Sequence, residues 1–124
     1  MKNLGLLLVA VMLAILFFPL GFFFTLIEAV NRGSVSKALG YLSNSAVTTA
    51  LSIDLMGNVV VRDLMNRTLI HSEARYEFGN YRETISSVLG KNKALGTLTD
   101  AGRALANFLN WIDPGHVERA AAVQ

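Results

Sequence analysis

From Asn3 to Ile27 the chain carries no charged residue, and this run constrains the fold more than any other feature. As a helix rising about 1.5 Å per residue, its 25 residues reach roughly 37 Å, enough to cross a hydrocarbon core of about 30 Å. Seventeen residues of Leu4–Ile27 are Leu, Ile, Val or Phe. Each favours insertion by about 0.3–0.6 kcal/mol at the membrane centre, with no charge in opposition. Pro19 and Gly21 interrupt the run, but lipid-embedded helices tolerate both. A cleaved signal peptide fits less well. Its apolar region would run far beyond the usual length of about 7–15 residues, and no small-x-small cleavage site follows Phe22-Phe23-Phe24. Residues 1–30 therefore read as a retained single-pass anchor, with the lipid bilayer as partner, and residues 31–124 as one small helical domain. Lys2 precedes the span, whereas Arg32 and Lys37 stand against Glu28 after it. The positive-inside rule then places the anchor in the inner (cytoplasmic) membrane with the C-terminal domain on the cytoplasmic side.

The mean hydropathy of +0.44 reflects the concentration of apolar residues in this segment. From Glu28 onward, 10 Lys and Arg stand against 9 Asp and Glu, since one of the 11 basic residues is Lys2. A nucleic-acid-binding surface needs a clear basic excess, so no nucleic-acid partner is expected. The chain has no cysteine, which excludes disulfides, thiol catalysis and cysteine-ligated zinc.

After the anchor, Asn31-Arg32-Gly33-Ser34 reads as a helix exit, and Ser34 or Ser36 can cap the next helix. Apolar residues then recur at 42, 46, 49 or 50, 53, 56, 60 and 64. This spacing predicts one long helix over 36–69 whose apolar stripe requires a partner: other helices, the bilayer or another subunit. His71 to Tyr81 reads as a loop. Asn80 and Glu83 have the layout of a capping box, which predicts a short helix over 81–89 stopped by Gly90 and a second loop over 91–98. Thr99 caps a helix over 100–112 whose stripe of Ala101, Leu105, Phe108, Leu109 and Ile112, joined by Trp111, reads as core or as a bilayer-interface face. Asp113-Pro114 predicts a last helix, with Asp113 as N-cap, running to about Ala122. No strand is expected; the fold class is all-α, one transmembrane helix followed by about four helices.

From about Leu51 onward the sequence resembles a group of small membrane-associated proteins encoded by tailed phages and prophages. The resemblance rests on Ser52-Ile53-Asp54-Leu55-Met56-Gly57-Asn58, on Arg82-Glu83-Thr84-Ile85-Ser86-Ser87-Val88-Leu89-Gly90-Lys91 and on Ile112-Asp113-Pro114-Gly115-His116. In that family these stretches take the form Asp-x-x-x-Asn, Pro-Asp-Glu-Thr-x-Ser-Ser and Asp-Pro-x-His. Here Tyr81-Arg82 stands where the family has Pro-Asp, so any role of the second carboxylate is not carried over. The resemblance covers roughly the last 70 residues, and it implies a phage or prophage setting close to lysis functions.

Asp54 and Asn58, four apart on one helix face, are expected to meet Glu83, Thr84, Ser86, Ser87, Lys91 and His116 in a polar cluster. Such a cluster could bind a cation or a phosphate. The simpler alternative is that Asp54 and Asn58 hydrogen-bond the neighbouring loop backbone and that Thr84 and Ser87 bond their own helix. His71 lies in a loop without neighbouring ligands. With no His-x-x-x-His or His-Glu pairing, neither a metal nor a cofactor is expected. Gly90-Lys91-Asn92-Lys93 lacks P-loop spacing and reads as a solvated helix end whose cations suit a helix C-terminus or anionic headgroups. The leading functional expectation is a non-enzymatic membrane-anchored accessory protein that forms a homo-oligomer or a complex with other membrane proteins. The alternatives are a membrane-tethered enzyme or ligand-binding domain built on Asp54, Asn58, Glu83, Ser86 and His116, and a holin-like pore former.

Overall fold

A computed structural model describes residues 2–123. Its elements are helices throughout: α1 (Lys2–Asn31), α2 (Val35–Val60), α3 (Arg62–Thr68), α4 (Ile85–Leu95), α5 (Asp100–Ile112) and α6 (His116–Val123). The chain falls into two compact units, one ending at Thr48 and the other beginning at Thr49.

In the first unit, α1 is long and apolar enough to cross a membrane, and its large apolar side chains are exposed, with Ala29 near its end buried. Pro19 is accommodated within the helix. The Thr25 hydroxyl donates to the carbonyl of Gly21 at 2.9 Å. The exit is as the sequence implies. Gly33 adopts a left-handed φ of 76°, and the Ser34 hydroxyl accepts from the N–H of Lys37 at 3.3 Å to begin α2. Arg32 pairs with Glu28 at 3.4 Å and lies over the ring of Tyr41 at 4.3 Å.

In the second unit, α4 is the central element. Ser86, Ser87, Val88, Leu89, Gly90 and Asn92 are all buried, so neighbours surround the first half of the helix, whereas its last turn is exposed. Val88 and Leu89 join Met65, Ile70, Phe78, Leu98, Ala106 and Val117 in the apolar core, with Leu69, Ile85, Leu105 and Leu109 packed against it. A single antiparallel bridge, Ile70 with Leu98, ties the end of α3 to the connection before α5. Thr99 caps α5 as expected, accepting from Gly102 N at 3.1 Å, and its hydroxyl also donates to Thr68 O at 2.6 Å.

Several boundaries differ from those the sequence predicts. The helix expected over 36–69 breaks at Val61, where φ is −103° and ψ 10°. Three successive β-branched residues, Val59-Val60-Val61, weaken the helix there, and the break turns Met65 into the core. The helix expected over 81–89 runs instead from Ile85 to Leu95, so the loop expected over 91–98 is mostly helix. Thr84, not Asn80, is its N-cap, accepting from Ser87 N at 3.1 Å, and Asn80 instead turns its carbonyl oxygen to Arg82 N at 3.1 Å.

Gly90 does not stop this helix. A Cβ placed there would lie 2.0 Å from the carbonyl oxygen of Val117, so glycine allows α6 to press against the middle of α4. The stop is Gly96, with a left-handed φ of 71°. Asp113 is not an N-cap either. It ends α5, and α6 begins at His116 after Gly115 takes a φ of 75°. The α5 stripe is divided. Ala106 is buried and Leu105 and Leu109 are half-buried against the core, but Phe108, Trp111 and Ile112 are exposed, with the Phe108 and Trp111 rings stacked at 6.1 Å.

Gly90→Ala should cost about 3 kcal/mol in denaturant unfolding of the full chain in detergent, because the obstructing atom is backbone. Gly96→Ala, in open space, should cost only about 1 kcal/mol, the penalty for a left-handed alanine. Equal losses would contradict the close α4–α6 contact.

Candidate functional site

The segment between α3 and α4, residues 69–84, contains no helix or strand, yet parts of it are buried and its backbone groups need partners. Three asparagine side chains supply them. Asn66 of α3 accepts from Phe78 N at 2.8 Å and donates to Phe78 O at 3.3 Å. Asn92 of α4 accepts from Tyr76 N at 3.0 Å and donates to Tyr76 O at 2.7 Å and to Val88 O at 2.9 Å. Asn58 of α2 accepts from Gly79 N at 3.1 Å and donates to Asn80 O at 3.0 Å and to Glu83 O at 2.6 Å. An extended backbone normally obtains such paired bonds from a neighbouring strand. Here carboxamides, each offering one acceptor and two donor hydrogens, take the strand's place. Asn58 and Asn92 are fully buried, and Thr97 also donates to the Asn92 carbonyl oxygen at 2.6 Å.

With this segment fixed, five of the eight residues singled out in the sequence, Asp54, Glu83, Ser86, Lys91 and His116, fall into two hydrogen-bonded groups beside α4, while Asn58, Thr84 and Ser87 serve the backbone or the helix itself. The first is a row across α2, α4 and α6. Asp54 Oδ1 accepts from Ile85 N at 2.8 Å, at the positive end of the helix dipole. The Ser86 hydroxyl lies 3.2 Å from Asp54 Oδ2 and 3.1 Å from His116 Nε2. His116 Nδ1 lies 3.0 Å from Asp113 Oδ2, which also accepts from Arg119 at 2.6 Å. Both carboxylates only accept. With a single hydrogen, the Ser86 hydroxyl donates to Asp54 while its oxygen faces the imidazole.

The second group centres on Glu83. It does not close a capping box. Its carboxylate is buried, where Oε1 accepts from the Tyr76 hydroxyl at 3.0 Å and pairs with the Lys91 ammonium. That ammonium lies 4.5 Å from the centre of the Tyr76 ring. Lys91 is therefore held within the domain, contrary to the expected solvated loop, and Lys93 pairs with Glu118. Thr84 is the cap already described. Ser87 Oγ and Glu83 Oε2 are buried without a hydrogen-bond partner.

Ser86, His116 and Asp113 have the spacing of a nucleophile, a base and an orienting acid. Three features argue against that chemistry. Ser86 is 4% exposed. Its hydroxyl is shared with Asp54. The N–H groups of Ile85 and Ser87, which could have stabilised an oxyanion, already serve Asp54 and Thr84. A cavity of about 110 Å³ lies elsewhere, lined by Lys93, Gly96, Leu98, Arg103, Ala106 and Asn107, and none of the eight residues lines it. No group of three His, Asp or Glu among the described residues is placed to hold a metal ion. His71 is exposed; its N–H donates to Thr97 O at 2.8 Å beside the Ile70–Leu98 bridge.

Sequence reasoning overlooked Asn66, Tyr76 and Asn92, and it assigned Asp113 to a different task. The one signal that could have found the first three is that residues 72–81 carry neither a helix nor a strand pattern, so their backbone groups need side-chain partners. Comparison with known protein families, with characterised proteins and with solved structures finds no match to this chain.

The hydrogen bond from His116, then that from Arg119, holds the Asp113 carboxyl below its ordinary 3.8, against a small opposing effect of burial. Glu118 is held below 4.5 by Lys93, by its own backbone N–H and by Asn110. Burial pulls the Lys91 ammonium down, but the hydrogen bonds and charges of Glu83 and Tyr76 outweigh it and raise it above 10.5.

A lowered carboxyl binds fewer protons folded than unfolded. Its contribution is present above the ordinary value and is lost as pH falls through the lower, folded one. The melting temperature of the full chain should hold from neutral pH to about 5 and fall below about 4; Asp113→Asn should flatten that fall. The Lys91 contribution has the opposite sign: present below 10.5, it is lost as pH rises through the raised value.

Asn58→Ala and Asn92→Ala should each cost on the order of 3 kcal/mol in denaturant unfolding, since each leaves buried backbone groups unpaired. The exposed Asn107→Ala should cost less than about 0.5 kcal/mol. Losses as small as that control would show that the asparagines do not hold the segment.

Proposed function

We propose that this chain is a single-pass membrane-anchored accessory protein whose helical domain acts through protein–protein contacts at the inner membrane. The observation that carries this reading is α1: 30 residues, apolar enough to span a bilayer, with no part of its most apolar window buried by the rest of the chain. The polar residues around α4 support the non-enzymatic side of the reading, because their bonds run to one another and to the backbone of residues 76–85. Arg32 and Lys37, set against Lys2, support a cytoplasmic domain. The resemblance of residues from Leu51 onward to phage and prophage proteins supports an envelope or lysis setting. One observation favours a membrane-tethered enzyme instead, the alignment of Ser86, His116 and Asp113.

Two measurements on the full chain, expressed in bacteria, separate these readings. Alkaline carbonate extraction should leave the chain in the membrane pellet, and its appearance in the supernatant would refute the anchor. A fluorophosphonate should fail to label the membrane-bound protein; labelling that disappears in Ser86→Ala would establish the enzymatic reading.

A further inference from the structure

The face of α2 opposite Asp54 and Asn58 repeats every seven residues. Leu39, Ala46, Ile53 and Val60 are spaced seven apart, and Val35, Leu42, Thr49 and Met56 fall between them at the same interval. The steps alternate four and three over the whole of Val35–Val60. A straight helix drifts about 20° per heptad away from such a repeat, so a stripe that covered only a domain or a flat bilayer would follow 3.6 residues. A strict seven-residue repeat over about four heptads is the pattern of a left-handed coiled coil. Val35, Leu39, Ile53, Met56 and Val60 are between 56 and 77% exposed and Leu42 is half-buried, so most of the seam is left uncovered by the described residues.

The flanks of the seam indicate which partner covers it. Ser43 and Ala50 line one side and Ala38, Ser45 and Ser52 line much of the other, leaving small groups along most of the line where two backbones would approach. The charges of α2, Lys37 and Asp54, lie on neither the seam nor its flanks, and Asp54 is occupied by Ile85 and Ser86. Two identical surfaces can therefore meet without like-charge repulsion, and no oppositely charged partner is called for. In a parallel pair, Ile53 would face Ile53 and Val60 would face Val60, β-branched residues at the position that favours two strands.

We infer that α2 pairs in parallel with α2 of a second copy of this chain, forming a left-handed dimeric coiled coil over Val35–Val60. The parallel sense rests on the proposed anchor, which gives all copies in one bilayer the same orientation. The dimer supplies the covered face that the exposed stripe lacks, and it leaves Asp54 and Asn58 free to hold each copy's own domain.

Because the chain contains no cysteine, single-cysteine variants report on this pairing without background. Ala46→Cys, Thr49→Cys and Ile53→Cys lie on the seam; Val47→Cys and Leu51→Cys lie off it. In membranes carrying the full chain, mild oxidation should give disulfide-linked dimers at all three seam positions, roughly fivefold or more above the two others. Crosslinking at three successive seam positions requires a parallel, in-register pair. Equal crosslinking at 47 and 51, or none on the seam, would overturn the inference. Ile53→Asp should lower the Thr49→Cys crosslink by a similar factor, and an unchanged yield would count equally against it. Carbonate washing of the same membranes separates the two proposals. Release of the chain with seam crosslinks intact refutes the anchor and leaves the pair, whereas retention without seam crosslinks refutes the pair and leaves the anchor.

Discussion

The second unit depends on how residues 71–84 satisfy their backbone hydrogen bonds. A segment without helix or strand cannot lie against a core unless its N–H and C=O groups find partners. Asn58, Asn66 and Asn92, from α2, α3 and α4, provide them at Gly79, Phe78 and Tyr76. Tyr76, Phe78 and Gly79 are thereby gripped from three different helices, and the side chains of the segment are set as a consequence. Phe78 enters the core, and the Tyr76 hydroxyl reaches Glu83. Asn58 also binds the carbonyl of Glu83, so the same set of bonds fixes the residue that precedes the α4 cap.

That cap introduces a helix with no solvent-facing side along its first half. Small and polar residues let α4 be surrounded: Ser86 and Ser87 at its start, Gly90 beneath α6 and Asn92 beneath the extended segment. A larger side chain at 90 would separate α4 from α6, and with them the pairing of Ser86 and His116. The polar row Asp54–Ser86–His116–Asp113 thus joins three helices whose close approach depends on a residue carrying no functional group. Its hydrogen bonds are spent within the fold, which is why a cluster with the composition of an active site supports a structural role.

α2 serves two surfaces. Its polar positions Asp54 and Asn58 face the domain, whereas the apolar Ile53, Met56 and Val60 beside them are exposed. This reverses the usual division, in which the apolar stripe covers the chain's own core. The inward face is held by directed hydrogen bonds to backbone, and Gly57 permits a close approach to Ile85. On the outward face Ile53, Met56 and Val60 stay exposed.

The sequence by itself determined the long apolar helix, its exit at Gly33-Ser34, the all-α class and the cap of α5 at Thr99, because each follows from local composition or from contacts within one turn. It also determined which residues would be polar and close in spacing, Asp54 with Asn58 and Glu83 with Ser86 and Ser87. Only the tertiary structure decided what those residues do. Gly90 has the chemistry of a helix stop, and the approach of α6 turned it into a contact point. Asn80 and Glu83 have the spacing of a capping box, but burial beside Tyr76 and Lys91 drew the carboxylate away. Asn66 and Asn92 carry no local signal because their partners lie 12 and 16 residues away, beyond the reach of any local pattern. Short-range hydrogen bonds and hydropathy act within a few residues and can be read along the chain, whereas the roles of buried polar groups are set by which distant backbone comes to rest against them.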